Sequence, residues 1–145
     1  MKMMLVIFLI FVFSYGIGKW LVRDEAESIT VYQSTCDPAI SVCVVKNQRV
    51  DYQIKFVGEP SALKPFSVVI QNYDELPQSV EIEFIMDSMD MGYNIYQMKQ
   101  QKALWVADVL LPVCSLGRND WKLKVKINYK SDRHLSEFSF RQITN

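Results

Sequence analysis

From Trp121 to Tyr129 the chain alternates without a break: Trp121, Leu123, Val125, Ile127 and Tyr129 stand between Lys122, Lys124, Lys126 and Asn128. A period of two is the period of a strand, so this run must fold with one buried and one wet face. The same pattern governs Val50, Tyr52, Ile54 and Phe56, and returns at Val80, Ile82 and Phe84. Weaker strand candidates cover 29–33, 41–46, 66–72, 91–98, 103–111 and 135–142. Turn-forming residues fall between them, at Asp37-Pro38, Gly58-Glu59-Pro60, Leu76-Pro77, Leu116-Gly117-Arg118-Asn119 and Ser131-Asp132. Short strands at such spacing, with no convincing helix among them, predict an all-β domain over 29–145. An immunoglobulin-like antiparallel β-sandwich is the expected form, and a closed antiparallel barrel is the alternative.

The first part of the chain is of another kind. Residues 3–18 carry no charge, and Trp20, Leu21 and Val22 prolong the apolar stretch past Lys19. About 20 mostly apolar residues cross a bilayer as a helix, so 1–22 is read as a single membrane anchor and 23–28 as a polar linker. Tyr15 and Trp20 would lie in the interfacial belt, with Lys19 reaching the headgroups. A cleaved signal peptide is the rival, but Ser14-Tyr15-Gly16-Ile17-Gly18 matches a small-residue cleavage site poorly. Positive charge does not choose the orientation, since Lys2 precedes the segment while Lys19 and Arg23 follow it. The short leading tail and the cysteines tip the balance. They favour a signal-anchor in the bacterial inner membrane, with the domain in the periplasm.

Charge narrows the partners. Past Arg23 the domain keeps 13 of the 16 basic residues and all 16 acidic ones, so it is mildly acidic. No basic stripe is dense enough to follow a phosphate backbone, and nucleic acid is not expected. Nor is there a nucleophile elbow, a phosphate loop or a zinc-protease helix motif, so an enzyme is not expected and no small-molecule substrate is evident. His134, the single histidine, sits beside Ser131-Asp132-Arg133 and is read as a solvated turn residue.

Three cysteines, Cys36, Cys43 and Cys114, allow three single bridges. Cys36 and Cys43 bracket Asp37-Pro38-Ala39-Ile40, a turn that would bring them together, and this pairing is favoured. Cys43 with Cys114 would instead join strands far apart in sequence. Whichever thiol is left is either a small buried hydrophobe or a ligand for a soft metal.

Outside the anchor every methionine falls within thirteen residues: Met86, Met89, Met91 and Met98. Thioethers are soft ligands that select Cu(I), and a loop carrying Met86, Met89 and Met91, returning through Met98, would gather sulfurs around one ion. Gly92 would let the backbone turn. Methionine is also a good filler of cores, and Met86 and Met98 suit strand positions. Met89 and Met91 flank Asp90 in what reads as a wet loop, where packing gives them no motive. A third reading is a methionine-rich surface for another protein.

The anchor, Met89-Asp90-Met91-Gly92, and the stretch from Leu111-Pro112-Val113-Cys114 through Gly117-Arg118 to Asp120-Trp121 resemble the FixH/YtkA-like group of membrane-anchored periplasmic proteins. The resemblance covers about Cys43 to Tyr129. It implies an immunoglobulin-like domain associated with copper handling and cytochrome oxidase assembly. The expectation carried forward is a module holding or delivering Cu(I) through Met86, Met89, Met91 and Met98, with Cys114 as a further ligand. The other is a non-enzymatic interaction or structural protein of the envelope. It would offer a strand edge, or the region around Tyr93 and Tyr96, to a membrane-protein partner.

Overall fold

The structure is a computed structural model, described here for residues 30–46, 50–73, 76–87, 89–130 and 132–143. The anchor expected over 1–22 and the linker over 23–28 lie outside the described residues. Ten strands follow in order: β1 (Thr30–Ser34), β2 (Cys43–Lys46), β3 (Asp51–Val57), β4 (Phe66–Asn72), β5 (Ser79–Ile85), β6 (Ile95–Gln97), β7 (Lys99–Gln101), β8 (Leu104–Val109), β9 (Asp120–Asn128) and β10 (Arg133–Arg141). They form two five-stranded sheets, β1-β10-β9-β5-β6 and β2-β3-β4-β8-β7. All pairings are antiparallel except β1 with β10, which runs parallel from Thr30 beside His134 to Ser34 beside Phe138. The expectation of an all-β protein holds at the level of two packed sheets.

The alternation in β9 has the outcome its pattern requires. Trp121, Leu123, Val125 and Ile127 are buried, and the lysines between them keep to the other face. Registers then carry the pattern sideways: Leu123 lies level with Phe84 of β5 and Phe138 of β10, and Ile127 with Val80 and His134. His134 is therefore the first inward residue of β10 and is buried, not a solvated turn residue as its polar neighbours suggested. Its Nε2 lies 3.4 Å from Asp132 Oδ2, and its ring meets that of Tyr129 edge-on.

The sheets meet through aromatic rings. Phe56 and Phe66 from one sheet contact Phe84 and Phe140 from the other, with Phe56–Phe140 and Phe66–Phe84 centroids 5.1 and 6.1 Å apart and nearly perpendicular. Edge-to-face rings add about 1 kcal/mol per pair beyond the area they bury. On the outer face β9 is tied by ion pairs, with Lys126 Nζ at 2.9 Å from Glu81. Such exposed pairs are worth about 0–1 kcal/mol each. The apolar interface decides stability.

Between β1 and β2 the chain crosses from the edge of one sheet to the edge of the other, and the crossing is closed by a Cys36–Cys43 disulfide, as the spacing favoured. Asp37 shapes the turn by accepting the Ala39 amide on its side chain at 2.8 Å and the Ser41 amide on its carbonyl at 3.1 Å. The Pro38 carbonyl accepts from the Phe56 amide of β3 at 3.0 Å, which fixes the turn to the second sheet.

Truncating Phe84→Ala, in contact with Phe66, Phe140 and Tyr96, is expected to cost about 3–5 kcal/mol in denaturant unfolding. Replacing both Cys36 and Cys43 by serine is expected to cost about 2.5 kcal/mol from loop closure. Reducing agent should lower the wild-type midpoint to match and leave that variant unmoved.

Candidate functional site

Met86, Met89 and Cys114 lie at one end of the sandwich, where β5 and β8 finish and β9 begins. Met86 follows directly on β5 and continues its inward row after Val80, Ile82 and Phe84, so it is buried. The chain then doubles back: the Met89 amide donates to the Met86 carbonyl at 3.4 Å, and the two residues form an isolated antiparallel bridge. Residues opposed in that way send their side chains to one face, with Cβ atoms about 5 Å apart. Gly92, at φ 74°, turns the loop through a conformation that side-chain-bearing residues avoid. Asp90 caps the turn through the Gly92 amide at 2.8 Å, and Asn94 Nδ2 holds the Met91 carbonyl at 2.8 Å.

Cys114 approaches from the loop between β8 and β9. That loop is pinned by the Tyr96 hydroxyl on the Leu110 carbonyl (3.0 Å), the Leu63 amide on the Leu111 carbonyl (3.1 Å) and the Gly117 amide on the Cys114 carbonyl (3.1 Å). Its thiol is free, 6% exposed, and donates to Met89 Sδ at 3.4 Å. Two residues 25 apart in sequence are thus held sulfur to sulfur, with Met86 joined to Met89 through the backbone.

The remaining members of the expected set are placed differently. Met98 sits after β6, its amide bonded to the Val80 carbonyl at 2.9 Å. Val80 lies six residues back from Met86 along β5, about 20 Å at strand rise, so Met98 packs in the core at the opposite end. The four methionines do not form one cluster. Met89 and Met91 are not in a wet loop either: both are half-buried and pack against the core, which gives them the packing motive the flanking aspartates had argued against. Tyr93, beyond them, is 87% exposed.

A clamp of charged residues, absent from the sequence-based site, fastens the methionine loop to β9. Arg118 Nη1 donates to the Asp87 carbonyl at 2.9 Å, while its Nε and Nη2 grip both carboxylate oxygens of Asp120. Lys122 Nζ meets Asp87 Oδ2 at 2.8 Å and Glu137 Oε1 at 3.4 Å. The bond from Arg118 holds the Asp120 carboxyl below the usual aspartate value, and the bond to Asp87 raises the Lys122 ammonium above its own. The one sequence signal for the clamp was a basic residue two positions before an acidic one at a strand start, a pattern common on any sheet.

Among the described residues, no group of three His, Cys, Asp or Glu side chains is arranged to hold a metal ion; the Asp87 and Asp120 carboxylates at this end are engaged by Lys122 and Arg118, beside the Cys114–Met89 sulfur pair.

No protein-family model matches the chain, and no curated protein matches it. A solved structure to which it is similar is the M1 domain from titin, at 18% identity over 59% of this chain and 91% of that one, with a TM-score of 0.25. A likeness so loose carries no argument, and the sheet order above rests on the strand pairings alone.

Arg118→Ala is expected to free the Asp87 carbonyl and speed amide hydrogen exchange at Met89 and Met91, with β9 unchanged. The same loosening should follow from acid. Because the folded Asp120 value is depressed, its contribution is complete above the ordinary value of 3.8 and fades as pH falls through the lowered one. Exchange in this loop, read at several pH values below about 4, should rise in the wild type more than in Arg118→Ala.

Proposed function

We propose that this chain is a membrane-anchored immunoglobulin-like module of the periplasm that holds Cu(I) through sulfur at one end of its sandwich. The observation that carries the reading is the 3.4 Å contact between Cys114 Sγ and Met89 Sδ. The donor chemistry fits. A thiolate and a thioether in contact, partly shielded from water, are the soft pair that a monovalent copper ion prefers to carboxylate or amide oxygen. Met86 is the third donor, and Met91 is in reserve on the same loop. Binding would displace the thiol proton, because the thiolate is the ligand. The copper reading therefore keeps the methionine loop of the original expectation and leaves Met98 to the core.

The immunoglobulin-like assignment is supported by the parallel β1–β10 pair at the sheet edge, followed by β9 and β5 as inner strands. The uncharged run over 3–18 supports the anchor, and the Cys36–Cys43 bridge suits an oxidising compartment. Passing copper to a membrane-protein partner in oxidase assembly belongs to the same proposal. So does the absence of catalysis.

The test is a Cu(I) titration of the full chain in detergent at neutral pH against a chromophoric chelator. Uptake of one equivalent is expected. Met89→Leu keeps the bulk and removes the soft donor, and together with Cys114→Ser it should abolish uptake while the unfolding midpoint shifts little. Failure of the wild type to compete at micromolar chelator would overturn the copper reading.

A further inference from the structure

The outer edge of β10 is covered unevenly. β1 runs along it from His134 to Phe138 and then leaves. The next backbone to reach it is Pro60, whose carbonyl accepts from the Ile143 amide at 2.9 Å, with Ser61 bridging Ile143. Between these points Ser139, Phe140 and Arg141 pair with Lys122, Trp121 and Asp120 of β9 on one side, and no described strand pairs on the other. Successive residues of a ladder turn their N–H and C=O groups to alternate sides. The Gln142 amide bonds Asn119 on the β9 side, so Arg141 directs its amide and carbonyl outward, into the gap.

The gap opens onto a groove of about 840 Å³. The disulfide-tied turn, through Ala39 and Ile40, forms one wall, and Pro60 with Ile143 forms the other. The Asp87–Lys122 and Asp120–Arg118 ion pairs satisfy one another, and Arg141 acts on Asp120, so the carboxylates of Asp37 and Glu59 remain without a cation among the described residues. An unpaired strand edge beside apolar walls and acids that lack a cation is the arrangement that recognises an added strand.

We infer that this groove takes an extended segment of a partner protein, with apolar and basic residues alternating, as a short strand added to β10 at Arg141. The segment's backbone bonds the Arg141 amide and carbonyl. Its apolar side chains enter between Ile40 and Pro60, and its basic ones face Asp37 and Glu59. The groove shares Asp87, Asp120 and Lys122 with the clamp on the methionine loop but contains neither Cys114 nor Met89, and binding there does not require copper.

The probe is a blocked hexapeptide of alternating valine and lysine, added to the isotope-labelled full chain in detergent. Movement of the Arg141 amide resonance with saturation is expected. A peptide N-methylated on alternate residues should bind roughly tenfold more weakly, the loss of about one hydrogen bond. Glu59→Lys, on an exposed loop, should weaken binding of the parent peptide several-fold without changing the fold. An unmoved Arg141 amide at millimolar peptide would overturn the inference, as would equal binding of the N-methylated peptide.

Discussion

Face-to-face burial of two sheets is the interaction on which the rest of this molecule depends. Each fully buried Leu, Ile, Val or Phe contributes about 1.5–3 kcal/mol, and such residues make up the inner rows of β4 and β5 and most of that of β9. The ion pairs on the outer faces are weaker by comparison and serve to set register and fasten loops. The division shows at β9. Its odd-numbered residues make the core, while Lys122 and Lys126 tie the strand to its neighbours and Lys122 also holds the methionine loop through Asp87.

The packing also shapes the candidate site. Met86 is both the last inward residue of the β5 row and a neighbour of the Cys114–Met89 pair. Core filling and metal holding are therefore not exclusive for this residue. Methionine's flexible thioether suits a position where the apolar core runs out into a loop. Rigidity comes from elsewhere, from Arg118 on the Asp87 carbonyl and from Tyr96 on the Leu110 carbonyl.

Much of the fold was legible because period two survives wherever one face is buried and one is wet. The range 66–72 coincides with β4, and β3, β5 and β9 fall within a residue or two of their patterned runs. β7 was not legible: Lys99, Gln100 and Gln101 are all exposed on an outer strand, with no buried face to impose alternation. His134 was misread from its polar neighbours, although it shares even-numbered parity with the buried Phe138 and Phe140. The disulfide could be favoured because its loop is local. The Cys114–Met89 contact could not, since it depends on how β5 and β9 align and on two loops with no periodicity. Nor could Met98's separation be seen, because the reversal after Gly92 sets β6 against β5 and carries Met98 back towards Val80.

The parallel pairing of β1 with β10 fixes where the chain enters the domain. Thr30 lies beside His134, at the start of a strand whose nine residues run about 30 Å towards the sulfur pair and the groove. The described chain thus begins at the pole far from both. Both candidate surfaces lie near the other end of β10. On the membrane anchor proposed above, a partner would meet these surfaces at the end of the domain away from the chain's entry.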